Sequence, residues 1–369
     1  MRTLTLQEVE DMLHGAAIYG TGGGGSLEEA LQVVRTMYAA GKRVKLAGLD
    51  EIGDDWLIAS PYYVGSVAPP DPEVVKRFAE LPVTADEVPT TALRALQAYL
   101  GRPIQAVIAT ELGGNTACAM ETAASQDIPL VDADPAGRAV PDLAHSTFHV
   151  HGVSIAPFAL ASRYGDTAVV TAVVNHAHAE MIARNFAILF GNTAGVCDHP
   201  VDGRRLKQSV IAGTLTQAER VGRAMRLANE RGESPTEAIL AAVEGSRSLI
   251  DGVIREADWQ DVKGFTEGQV VIEPSDAEQG ELPVTLWFRN EHMIARRGEQ
   301  ILSIIPELIT VLDQKTGMPI LNPDCTPGME VTVVTFPAPA AWESDKGLSI
   351  FGPEYIGMSR QTYAAGKGR

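Results

Sequence analysis

Residues 106–132 read AVIATELGGNTACAMETAASQDIPLVD, and this stretch decides the fold. Residues 106–110 are a short apolar run of strand type, ELGGN is a turn, 116–125 has helical composition, and 128–132 is a second apolar run. Strand, helix and strand at this length predict a βαβ unit with parallel strands. Open parallel sheets bind ligands beyond the carboxyl ends of their strands. Glu111, Gly113, Gly114 and Asn115 stand at the end of the first strand, and Asp132 and Asp134 at the end of the second. Two segments are thus expected to bring polar groups to one edge.

Outward from this unit, Thr5 with Glu8 and Ser26 with Glu29 have capping-box spacing, predicting helices to about residues 18 and 39. Short strands are expected at 44–49 and 56–60, a Pro- and Gly-rich loop at 61–72, and helices at 73–80 and 91–100. Strands at 147–155 and 166–174 follow, then helices at 177–190, 216–231 and 235–243. From about residue 246 the pattern changes to strands, at 249–253, 268–272, 284–288, 307–312 and 330–334, separated by turns such as Asp251-Gly252 and Thr316-Gly317. The fold class is therefore α/β, or α+β overall. An N-terminal α/β domain spans 1–165, and a C-terminal domain spans 166–369 with a β-rich module at about 246–340.

The chain has 369 residues, 45% of them hydrophobic, which is enough for a sizeable core. Its formal net charge is -17. The clustered Lys and Arg of a nucleic-acid or anionic-membrane binder are missing, so the expected partner is a small-molecule substrate, with no nucleic acid and no membrane. Cys118, Cys197 and Cys325 are odd in number and widely spaced, which suits a reducing cytoplasm better than a disulfide framework. The N-terminus lacks a signal-peptide core, and no apolar run approaches the ~18 residues of a membrane span. A cytoplasmic homo-oligomer is the generic expectation for such a metabolic chain.

The densest chemistry lies in 131–152, VDADPAGRAVPDLAHSTFHVHG. His149 and His151 at i, i+2 share one face of a strand. Paired imidazoles suit zinc, with Asp132, Asp134 or His145 as a third ligand, or metal-free acid–base work. Asp132 could orient a histidine; Asp134-Pro135-Ala136-Gly137 is also good turn chemistry. Arg138 could clamp a carboxylate or pair with an aspartate. Cys118, near the start of the helix after ELGGN, is a candidate nucleophile, since a helix N-terminus lowers a thiol pKa; the other reading is a small buried residue. Gly22, Gly23, Gly24 and Gly25 precede a capped helix and allow a ligand close to the backbone. They make neither a phosphate-binding lysine loop nor a dinucleotide fingerprint, because no strand precedes them. Asn175-His176-Ala177-His178 reads as a helix start, His199 as an ambiguous loop residue, and His14 and His292 as surface or packing residues.

Several of these motifs together resemble one bacterial family. They are Tyr19 to Gly25, Glu111 to Asn115, Asp132 to Asp134 with Gly137 to Pro141, Thr147 to Gly152, Ile305 to Ile309 and Gly352 to Gly357. The family is named after S-methyl-thiohydantoin desulfurase and is often labelled hydantoinase-like; the resemblance covers nearly the whole chain. It implies hydrolysis at an imidazolidine-type ring, in which water attacks the carbon bearing the S-methyl group and methanethiol leaves. On the residue reading above, His149 and His151 would activate water, with or without zinc, and Asp132 would orient one of them. Arg138 and the glycine-loop amides would hold an acidic tail, with Glu111, Gly114, Asn115 and Asp134 also on the substrate. The competing reading is a non-catalytic small-molecule binder or a subunit of an amidohydrolase complex.

Overall fold

The parallel pairing expected across ELGGN is present and sets the first layer. The computed structural model describes residues 1–65, 72–85, 87–262, 264–275 and 282–366. In chain order the first strands are β1 (Arg2–Thr3), β2 (Lys45–Ala47), β3 (Leu57–Gly65), β4 (Ala106–Val107), β5 (Leu130–Val131), β6 (Ala133–Asp134), β7 (Phe158–Ala161), β8 (Thr167–Val170), β9 (Thr193–Asp202) and β10 (Ile211–Ala212). All but β6 and β10, which pair with each other, form an eight-stranded sheet of order β1-β2-β5-β4-β3-β9-β7-β8. Strands β2, β5, β4 and β3 are mutually parallel, and β9, β7 and β8 continue the sheet antiparallel.

The helices of this half are α1 (Leu6–Tyr19), α2 (Leu27–Ala39), α3 (Pro72–Phe78), α4 (Val88–Leu100), α5 (Thr116–Gln126), α6 (Thr147–Val150) and α7 (His176–Leu189), followed by α8 (Gly203–Lys207), α9 (Thr214–Arg231) and α10 (Pro235–Ala241). Helix α1 starts on the Thr5–Glu8 capping box, and Ser26 caps α2 through the Glu29 amide. The largest core cluster packs α1, α2, α4, α5 and α9 on one sheet face with residues such as Met12, Leu93, Met120 and Val221. A smaller cluster around Ile58, Ile108 and Phe148 fills the other face.

Seven antiparallel strands make the β-rich module: β11 (Arg247–Val262), β12 (Phe265–Pro274), β13 (Val284–Arg289), β14 (Glu291–Arg297), β15 (Gln300–Ile304), β16 (Leu308–Asp313) and β17 (Glu330–Phe336), in the order β15-β14-β13-β12-β11-β17-β16. Their alternating inward residues, Val284, Leu286 and Phe288 among them, form a core of their own.

Four expectations need correcting. Residues 147–155 are not a strand: Ser146 caps Phe148, and Thr147–Val150 close one helical turn. His199, read as a loop residue, lies in the long strand β9, residues 193–202. Strands β14 and β15 were not expected from the sequence. Pro61 to Gly65 continue β3, and the rest of the supposed loop, 66–71, lies outside the described residues. Strands β8 and β9 of the eight-stranded sheet lie beyond residue 165. Among the described residues no helix is long and apolar enough to cross a membrane.

Candidate functional site

The carboxyl ends of β3 and β4 open into a cleft of about 870 Å³. Its walls come from the glycine loop before α2, the end of β3, the ELGGN turn, residues 140–146, β9 and the β13–β14 hairpin. The glycines are needed because two backbones meet. A Cβ on Gly24 would lie 3.1 Å from Gly113 Cα, and one on Gly114 would lie 2.5 Å from Ser26 O. The glycine loop and ELGGN therefore lie backbone against backbone, and the Asn115 amide donates to Gly24 O. Gly22 to Gly25, Glu111, Gly114, Asn115 and Cys118 all line the cleft.

Asn115 fixes this corner. Its Oδ1 accepts from the Tyr63 amide, and its Nδ2 donates to Tyr63 O and Glu111 Oε1. The other Glu111 oxygen accepts from the Val140 amide at 3.0 Å. Burial pushes the Glu111 carboxyl up to about 7, so it can give or take a proton near neutrality. Of the two readings of Cys118, its surroundings favour the small buried residue over the nucleophile. Burial raises its thiol to about 12, with the negative charge of Glu121 adding to the effect. Desolvation outweighs the helix end, and the group is a thiol, not an activated nucleophile.

The remaining sequence candidates lie elsewhere. His149 and His151 sit on and just after the short α6, so their side chains point about 160° apart around a helix and do not share a face. His149 Nδ1 meets Ala144 O at 2.9 Å and its ring stacks on His176; His151 is exposed. Neither belongs to the cleft wall. Asp132 accepts from the amide and hydroxyl of Thr216, capping the first turn of α9. Asp134 closes the expected turn, accepting from the Ala136 and Gly137 amides. Arg138 is fully buried and donates to Ala139 O, Pro306 O, Glu307 O, Thr21 Oγ1 and His292 O. It ties the two halves together and is not part of the cleft wall. Among the described residues no three His, Cys, Asp or Glu side chains converge as a metal site, and the separated rings of His149 and His151 do not fit one.

A different histidine faces the cleft. β9 bulges against β3, where Ile58 pairs with Val201 but Ser60 with Asp198. His199 sits in this bulge with φ 44°, the left-handed region that a non-glycine residue adopts rarely. Its Nδ1 lies 2.9 Å from Asp198 Oδ1, and the Tyr62 hydroxyl donates to Asp198 Oδ2 at 2.7 Å. An aspartate at Nδ1 puts the ring hydrogen there and leaves Nε2 as acceptor. Nε2 is buried without a partner, and the ring lies flat against Phe148, 4.7 Å away. His145 and Glu291 also line the cleft; burial lowers His145 to about 4 and pushes Glu291 well above the carboxylate range. Sequence reasoning missed Asp198 and Glu291 and left His199 undecided. The signal available was Cys197-Asp198-His199-Pro200, an acid beside a histidine in a β-compatible run.

The chain matches the model of the S-Me-THD-like N-terminal domain over residues 7–172 and that of the S-Me-THD-like C-terminal domain over 174–365. It belongs to the S-methyl-thiohydantoin desulfurase-like family. No curated protein matches it. A crystal structure of a protein from Chromobacterium violaceum, a structural genomics target, has the same fold at TM-score 0.80 and 22% identity, over 97% of each chain. Within this family fold the two domains meet at the cleft: the N-terminal one supplies Glu111 and the glycine loop, and the C-terminal one supplies His199 and Glu291.

Proposed function

We propose that this S-Me-THD-like protein is a hydrolase of S-methyl-thiohydantoin-like or hydantoin-like rings, with His199 as general base and Glu111 as general acid. The observation that carries the proposal is the buried, unpartnered His199 Nε2, backed by Asp198 and Tyr62, in the wall of the cleft. Such an atom is costly to bury unless it meets a ligand or water proton. As the oxygen of water bonds to the ring carbon, one proton passes to Nε2. The C=N electron pair moves to the ring nitrogen, which takes the Glu111 proton. The C–S bond then breaks, the thiolate takes its proton from the His199 imidazolium, and the new hydroxyl returns one to Glu111. Water and substrate become methanethiol and a hydantoin, and both side chains are restored. Asp198 holds the imidazole tautomer and steadies its charge while the proton is there.

Turnover of an S-methyl-thiohydantoin, followed by methanethiol release, is the test. His199→Ala is expected to lower kcat by about 100-fold or more, and His149→Ala to leave it near wild type. An unchanged His199→Ala rate defeats the assignment. Glu111 must carry its proton to act as acid, so kcat is expected to fall as pH rises through about 7. Glu111→Gln should lower the rate and abolish that descending limb. A limb that persists in the variant assigns it to another group.

A further inference from the structure

Glu291 has no part in the proton transfers above, yet it is the cleft's most unusual group. It is 2% exposed, opens strand β14, and lines the cleft from the C-terminal side. Its Oε2 is buried with no partner. The carboxyl is held in place: a Cβ on Gly23 would lie 2.2 Å from Oε1, and the Gly24 amide donates to the group. One face of the carboxyl is thus pinned to the glycine loop while an oxygen is left for a ligand. Glu111 raises it further by like-charge repulsion and the buried Arg138 guanidinium opposes this, so two buried carboxyls share this end of the cleft.

The rest of the lining makes an anionic ligand unwelcome. Glu121, Asp142, Glu180 and Asp198 face the same space. Arg184 is taken by Glu180 and Arg138 by backbone carbonyls and the Thr21 hydroxyl, which leaves the exposed Arg163 against these four acids. The free Oε2 can accept an N–H, and a carboxyl oxygen that carries a proton can also donate to a neighbouring C=O. The complementary ligand edge is an adjacent N–H and C=O, as in a cyclic amide, imide or ureide.

We propose that Glu291 is the specificity residue of the cleft, meeting the neighbouring N–H and C=O of a cyclic amide through its free Oε2. Ligands carrying a carboxylate beside that edge are turned away. This rests on the hydrolase reading for the location of the ring, but its test reads binding and not turnover. The probes are hydantoin and hydantoin-5-acetate, titrated calorimetrically into the full chain and into Glu291→Gln and Glu291→Ala. The amide of glutamine keeps a donor and an acceptor at the same places, so Glu291→Gln should bind hydantoin within about threefold of wild type, and Glu291→Ala at least about tenfold more weakly. Hydantoin-5-acetate should bind wild type at least about tenfold more weakly than hydantoin. Equal affinity of Glu291→Ala and wild type, a Gln variant as weak as the Ala variant, tighter binding of the acetate, or no binding of hydantoin to wild type overturns the proposal. Turnover of the S-methyl ring that ignores Glu291 would leave the hydrolase reading intact and remove this one. Glu291-dependent binding without turnover would do the reverse.

Discussion

Asp134 shows how burial rewrites a residue's chemistry. Its Oδ2 accepts from two backbone amides, while Oδ1 has no partner beside Thr214, and desolvation lifts the acid from 3.8 to about 6. A raised pKa means that the folded state holds the proton more tightly than the unfolded chain does. That stabilisation is complete below about pH 3.8 and is lost as pH rises through about 6. Asp134→Asn keeps the acceptor and puts an N–H near the Thr214 hydroxyl. The variant is expected to match wild type at pH 4 and to be more stable at pH 8 by about 1–3 kcal/mol, read by urea unfolding. An equal gain at both pH values would sink the argument. Cys118 teaches the same lesson: its place near a helix start suggested a nucleophile, and the burial that raises its thiol to about 12 favours the other reading, a small buried residue.

Among the elements, the crossing of α1 and α9 is the tightest contact. A Cβ on Gly15 would lie 1.8 Å from Ala218 O, and one on Gly222 1.9 Å from Asp11 O. Beside the crossing, Arg226 grips the buried Asp11 with two hydrogen bonds of 2.7 and 2.9 Å. Gly15→Ala therefore forces the helices apart. A net loss of about 1–3 kcal/mol is expected despite the ~1 kcal/mol that alanine gains within a helix, and a thermal melt at or above wild type would contradict it. Both helices were legible from their caps and periodicity; their closeness was not, because it depends on glycines more than 200 positions apart. Strand β9 failed to be read for a local reason. Its Asp198-His199-Pro200 centre looks like a turn, and the bulge that admits those residues exists only because β3 pairs beside it. The sequence signal for a strand is weakest where the strand is bent to present a histidine. The short α6 erred in the other direction, since an alternating His-Val-His run mimics a strand, while its helical turn is closed by the Ser146 cap. The half of the site on ELGGN and the glycine loop was visible, and the half on β9 and β14 was not.

At the scale of the whole molecule, one side chain joins the parts that build the cleft. Arg138 follows the Asp134 turn in the N-terminal half and reaches Thr21 in the glycine loop, His292 on β14, and Pro306 and Glu307 ahead of β16. Its guanidinium also lies 5.0 Å over the Phe351 ring. Desolvation of a buried guanidinium is expensive, and here that cost is met by oxygens from three segments: the Thr21 hydroxyl, the His292 carbonyl, and the Pro306 and Glu307 carbonyls. Because those segments carry the glycines and Glu291, loosening them should blur the cleft as well as weaken the fold. Arg138→Lys supplies one point donor where a planar fork is needed, so it should not rescue Arg138→Met. Each variant is expected to lose about 2 kcal/mol or more, as several buried carbonyls go unpaired. Hydrogen exchange should quicken together in residues 20–25, 290–293 and 304–308, while α4, remote from the arginine, keeps its protection. Destabilisation spread evenly over the chain, with no concerted change in those three segments, would show that Arg138 supports the fold without organising the site.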